Sequence, residues 1–222
     1  MRRQLAVLVA LAFLVAACGV TSTPPPSSVV TAEPIATPAL SATASGSSNA
    51  STEPFAGKPY TLAVPDGWKA FDLSNPASKA ALNTFVQVNP AFAAGVQAFE
   101  STPNVWLAVN PLLGNALVVL PIGSQGLALD TIGRSLTAQF LLVPGLASPP
   151  PVAQPTSLPG GDALHWDMSL TANKAGGGTV HVEESVYLFV SAQTAVIVEF
   201  VTPGGGVRSN EATIIQSFRF RP

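Results

Sequence analysis

The chain has 222 residues, of which 47% are hydrophobic and only 10% charged, against about 25% charged in an average globular chain. Without Arg2 and Arg3 near the start, eight basic side chains face twelve acidic ones, so the rest of the chain is weakly acidic and has no basic cluster to release counterions from nucleic acid. Nucleic-acid binding is excluded on that ground. Cys18 is the only cysteine, so no disulfide, thiolate nucleophile or cysteine metal ligand is expected in the body of the chain.

Residues 1–17 begin Met1-Arg2-Arg3-Gln4 and continue as an apolar run from Leu5 to Ala17. A positive start, a short apolar stretch and small residues before a cut are the parts of a secretory signal. Thirteen apolar residues fall short of the roughly 20 that a spanning helix needs. Val15-Ala16-Ala17-Cys18 resembles the bacterial lipoprotein signal, with an aliphatic residue, two small residues and a cysteine. The resemblance implies cleavage before Cys18, diacylglycerol on its sulfur and acylation (typically palmitate) of the new amino group. Two or more acyl chains are what stable membrane anchoring takes. Arg2-Arg3 lacks the rest of a twin-arginine motif, which favours ordinary secretion.

Gly19 to Pro54 is a stretch of Ser, Thr, Ala and Pro with Pro24-Pro25-Pro26 near its start, no aromatic residue, and only Glu33 and Glu53 charged. Such a segment buries too little apolar area to offset its ordering entropy, so residues 18–54 are expected to form a disordered stalk behind the lipidated cysteine. As coil it spans roughly 30–36 Å, and as stretched polyproline about 110 Å. The sequon Asn49-Ala50-Ser51 is read as chance in an exported bacterial chain.

Residues 55–222 read as one α+β domain. Tyr60, Leu62 and Val64 alternate with Thr61 and Ala63, which predicts a half-buried strand, and Pro65-Asp66-Gly67 turns the chain just before Trp68. Asn75 to Phe99 predicts helix, broken at Pro90, with Asn89-Pro90 as an N-cap and first helical residue. Val105–Asn110 and Ala116–Ile122 predict a hairpin around residues 111–115. Leu129, Ile132, Leu136 and Phe140 fall on one face of a helix over 129–141, with Asp130 and Arg134 outside. Pro144 to Pro159 reads as a connection. Leu164, Trp166, Met168 and Leu170 then form one stripe, and Val180, Val182, Val186 and Leu188 a matching one. With Thr194–Val201 they predict an antiparallel meander turning at residues 172–178 and 191–193. Ser209 and Glu211 open a last helix that packs Ile214, Ile215 and Phe218.

Three motifs resemble the Mog1/PsbP-like superfamily, in particular its bacterial lipoprotein branch of LpqN-type proteins. They are Tyr60-x-Leu62-x-Val64-Pro65-x-Gly67-Trp68, Leu158-Pro159-Gly160-Gly161-Asp162-Ala163 and Ile215-Gln216-Ser217-Phe218-Arg219-Phe220. The resemblance covers most of residues 58–220 and implies an antiparallel sheet between helices, an α/β/α sandwich. It also implies a protein that binds partners or assists assembly, and it carries no catalytic set.

Chemistry-bearing residues are few. His165 and Asp167, with His181 and Glu183, fall on the polar face of the meander, where even-register pairing sets Asp167 opposite His181 or Glu183. Two imidazoles and two carboxylates on one face are candidate ligands for zinc or a similar ion; the competing reading is cross-strand polar pairing. Thr202 to Ser209, with three glycines and Arg208, runs into a helix start and is a candidate anion site, although it lacks a Gly-Lys-Ser/Thr ending. Ser135 after Gly133 does not complete a nucleophile elbow, and among twelve acidic residues no catalytic pair stands out. Trp68, Trp106 and Trp166 read as core. No cofactor motif is found. The expectation is a non-catalytic module at the cell envelope that binds a protein partner. The alternative is a carrier or sensor for an apolar envelope molecule, suggested by the nearly all-apolar stretch Ala80–Phe99. A metal-dependent enzyme built on His165 and His181 is the third reading.

Overall fold

The computed structural model describes residues 55, 57–89, 99, 102, 104–173, 178–204, 206–208 and 210–221. In chain order these form β1 (Tyr60–Thr61), β2 (Lys69–Asp72), α1 (Pro76–Val88), β3 (Trp106–Asn110), β4 (Asn115–Gly123) and α2 (Leu129–Phe140). They continue with β5 (Gln154–Leu158), β6 (Gly161–Asn173), β7 (Thr179–Val190), β8 (Thr194–Pro203), α3 (Glu211–Ser217) and β9 (Arg219–Phe220). Cys18 and the leader and stalk expected on either side of it lie outside the described residues.

Seven strands make one antiparallel sheet in the order β2-β3-β4-β8-β7-β6-β5, and β1 pairs with β9 in a two-stranded ribbon. The central strands are apolar almost without a break: residues 105–109 and 116–120 are all buried. Such runs arise where a sheet is covered on both faces. On one face α1 and α2 cover a core of Phe71, Leu82, Leu107, Val118, Ile132, Leu136, Phe140 and Trp166. On the other, α3 and the chain entering from Phe55 cover Tyr60, Trp106, Leu117, Phe189, Val198, Phe200 and Phe218. This is the expected α+β sandwich.

The meander follows its alternation. Leu164, Trp166, Met168 and Leu170 on β6, with Val182, Val186 and Leu188 on β7, all belong to the first core. Ile132, Leu136 and Phe140 of α2 pack onto them, while Asp130 and Arg134 stay exposed. Trp166 is fully buried; its Nε1 donates to Thr137 Oγ1 at 3.0 Å and its ring meets Phe140 edge-on at 5.5 Å. The three tryptophans are core, as expected.

Several boundaries differ from expectation, each for a local reason. Asn75 caps α1, its Oδ1 accepting from Ala77 and Ser78 N–H, with Pro76 at the first turn. Asn89 is not an N-cap: it closes α1, its N–H bonding Val86 O and its Nδ2 bonding Phe85 O. The helix expected after Pro90 falls mostly outside the described residues. Within α1, Leu82 is buried while Ala80, Ala81, Asn83, Thr84 and Gln87 are exposed, so its described part is a surface helix rather than the wall of a cavity. The connection 144–159 contains strand β5, paired with β6 from Gln154↔His165 to Leu158↔Gly161. Pro155 lies within it, tolerated because β5 is the sheet edge. α3 starts from Asn210, which sits at φ 65° and makes no side-chain cap; Ser209, expected to open this helix, lies outside the described residues.

Candidate functional site

The second apolar layer covers only part of its sheet face. Beyond Tyr187 and Phe200, β6 and β7 carry polar residues on that face, and the register decides which of them meet. His165 pairs with Tyr187, Asp167 with Ser185, Ser169 with Glu183 and Thr171 with His181. Asp167 is therefore opposite neither His181 nor Glu183, contrary to the sequence expectation. His165 faces Tyr187, which is six residues along β7 from His181, a distance of about 20 Å at strand rise. The two imidazoles cannot share one ion.

Each histidine has its own partners. The His165 ring stacks on Tyr187 with centroids 4.4 Å apart, and its Nε2 lies 2.8 Å from Ser185 Oγ and 3.6 Å from Asp167 Oδ1. Ser185 and Tyr187 hydroxyls both donate to Glu211 Oε1, at 2.5 and 3.0 Å. Burial and the Glu211 charge push the Tyr187 hydroxyl up to about 12, so it stays protonated and donating. His181 Nε2 is 2.6 Å from Glu183 Oε1, which also accepts from Ser169 Oγ at 3.0 Å. Among the described residues no group of three His, Cys, Asp or Glu is placed to hold a metal ion.

The anion reading of 202–209 changes for the same reason. Arg208 Nη1 donates to Asp167 Oδ1 at 2.5 Å and Nη2 to Glu183 Oε2 at 3.3 Å. Burial alone lowers its pKa, but Asp167, Glu211 and Glu183 outweigh it and the guanidinium is held above its ordinary value. The cation is already matched by carboxylates, and the short helix that follows opens on Glu211. This end of the sheet is a polar clasp binding α3 and the preceding loop to β6 and β7.

A different region is open. Between α2 and the edge formed by residues 151–155 runs a groove of ≈550 Å³, walled by Gly133, Thr137, Ala138, Leu141, Val152, Ala153, Pro155 and Leu164, with Asp130 and Arg134 at its rim. Gly133 lets α2 approach the sheet: an added Cβ would stand 2.2 Å from Leu164 Cδ1. Two of its lining residues, Leu141 (52%) and Val152 (68%), are large apolar side chains that remain exposed.

Sequence reasoning missed a third feature. Glu184 and Glu199, each 2% exposed, lie inside the first core. Glu184 is opposite Val201 and Glu199 opposite Val186, which makes them diagonal neighbours on one face. Burial pushes the Glu184 carboxyl up to about 8, and burial together with the Glu184 charge raises Glu199 well above its ordinary value. One oxygen of each has no hydrogen-bond partner among the described residues. The signal was present in the sequence: Glu184 stands in phase with the apolar stripe Val182-Val186-Leu188, and Glu199 is the only charge in its strand.

No protein family matches the chain, and no curated protein matches it. The solved structures to which it is similar include two. One, from Bacteroides thetaiotaomicron, is 11% identical with a TM-score of 0.43, over 74% of this chain and 46% of that one. This chain thus spans under half the length of the Bacteroides structure. The other is LpqN of Mycobacterium tuberculosis, described as involved in cell envelope biogenesis; it is 12% identical with a TM-score of 0.40, over 73% of this chain and 83% of that one. At these values neither likeness carries an argument about function.

Proposed function

We propose that the protein is an exported lipoprotein, held at the outer face of a bacterial membrane by acyl groups on Cys18, whose folded part is a non-catalytic binding or assembly module of the cell envelope. The groove between α2 and residues 151–155 carries this reading. It is open and apolar-walled, it lies between a helix and a sheet edge, and its lining includes exposed Leu141 and Val152. A partner of the apolar-anchor type gains most where such side chains surround a preformed depression. The polar clasp supports the same reading, because His165, His181 and Arg208 are each engaged with polar side chains of β6 and β7. A second occupant is an apolar envelope molecule, favoured by the apolar wall of the same groove.

The test is a photo-crosslinking residue at Ala138, on the groove wall, in growing cells. A discrete protein adduct is expected there and none from the same residue at Gln87, which is exposed on α1. Val152→Asp should reduce the adduct by roughly tenfold or more and change stability by less than about 0.5 kcal/mol, as for other surface substitutions. A lipid adduct selects the second occupant. Equal labelling at both positions would remove the groove from the account.

A further inference from the structure

The β3–β4 hairpin ends in Pro111-Leu112-Leu113-Gly114, with Leu112 89% and Leu113 40% exposed. Loop residue Val207, 69% exposed, is held beside it, since Asn115 Nδ2 donates to Val207 O at 2.8 Å. Three large aliphatic side chains thus project from one end of the sheet, and residues 110–115 carry no formal charge. The N–H groups of this tip are already paired within it. Leu112 and Leu113 N–H both donate to Asn110 Oδ1, at 3.1 and 3.3 Å, and Gly114 N–H donates to Asn110 O at 2.9 Å. Pro111 has no N–H to satisfy. An unpaired backbone donor is what makes a loop costly to bury in an apolar phase, and here none remains from residue 111 to 114.

We infer that this tip docks onto a lipid bilayer, with Leu112, Leu113 and Val207 entering the boundary between headgroups and acyl chains. Near the base of the tip, Lys69 is exposed on β2 opposite Val109, and Asp66 is exposed in the turn before it. The tether permits the contact. Phe55, where the described chain begins, packs on Trp106 with ring centroids 4.5 Å apart, and Trp106 is at the end of β3 away from the tip. Anchor side and tip are therefore separated by about 15–20 Å of strand. The 36 residues between Cys18 and Phe55 can reach at most roughly 120 Å, well beyond that distance, so Cys18 and the tip can engage one membrane together. The inference rests on the tethered-lipoprotein reading for its setting but not for its test.

For the test, the chain from residue 18 onward, with Cys18→Ser, is held on phosphatidylglycerol–phosphatidylcholine vesicles by an N-terminal polyhistidine on a chelating lipid, so that acylation plays no part. An environment-sensitive fluorophore is placed at Leu112→Cys or, as a control, at Gln193→Cys in the turn at the far end of β8. The label at 112 is expected to shift to shorter wavelength and to be quenched by nitroxide-bearing lipid, while the label at 193 does neither. Adding Leu113→Asp and Val207→Asp should lower the ratio of engaged to free tip by roughly tenfold or more, given the apolar area involved, without moving the melting midpoint. An aqueous spectrum at 112 on tethered protein overturns the inference, and so does an equal shift at both positions, which means indiscriminate adsorption. A shift on native membranes but not on protein-free vesicles also overturns it and assigns the tip to a protein.

Discussion

Trp166→Ala is expected to lower the unfolding free energy by about 3–5 kcal/mol, the range for removing a large aromatic from a core. Trp166 lies in the middle of β6, fully buried, with α2 resting on it through Phe140 and Thr137. The substitution leaves a void between helix and sheet and deprives Thr137 Oγ1 of its donor. Since a domain is stabilised by only about 5–15 kcal/mol in total, much of the native population is at risk at elevated temperature. Trp166→Phe keeps most of the volume and removes the Nε1–Thr137 hydrogen bond, so its loss should be nearer 1 kcal/mol. Denaturant midpoints for the three proteins check both values. A loss below about 1 kcal/mol for Trp166→Ala would mean that α2 does not pack on β6 as described.

Glu184→Gln and Glu199→Gln are expected to stabilise the protein at pH 8 by an amount on the order of a few kcal/mol, with no gain at pH 4. The sign follows from linkage. Burial raises the folded pKa of Glu184 to about 8 and that of Glu199 upward as well, whereas in the unfolded chain both titrate near the ordinary glutamate value of about 4.5. Their contribution is fully present below pH 4.5, where both states hold the proton. It is lost as pH rises through the folded value, because the unfolded state gains the freedom to ionise in water. Wild-type stability should therefore fall between about pH 5 and pH 8 relative to either variant. Other carboxylates add their own slopes, and the difference between wild type and variant removes them. A Gln variant less stable than wild type at pH 8 would show the carboxylates to be compensated by a cation.

The stripes on β6 and β7 were legible in the sequence because both faces of those strands differ: Leu164, Trp166, Met168 and Leu170 alternate with His165, Asp167 and Ser169, and period two admits one reading. The hairpin 106–123 was legible from its Pro-Leu-Leu-Gly turn. Strand β5 was not, since Gln154-Pro155-Thr156-Ser157 has neither apolar alternation nor strand propensity; it exists because β6 offers it a ladder. The two-residue strands β1 and β9 pair Tyr60 with Phe220 across nearly the whole of residues 55–222, which local patterns do not encode. The histidine face was identified from parity, but parity fixes a face and not a register. The register, set by the long β6–β7 pairing, parted His165 from His181. The groove depends on how α2 is seated over Gly133, and the lipid-facing tip on which leucines the sheet leaves uncovered. Neither is a property of local sequence.

Everything proposed for the protein's setting depends on the Cys18 anchor. Detergent-phase partitioning of wild type and Cys18→Ser, both expressed in a bacterial host, tests it most directly. Wild type is expected in the detergent phase at the mass of a chain cut before Cys18 and acylated. Cys18→Ser, which has no sulfur to receive diacylglycerol, is expected either to keep its uncut leader or to appear in the aqueous phase. Equal partitioning of the two proteins, at equal mass, would contradict the claim that this is a lipid-tethered protein of the cell envelope.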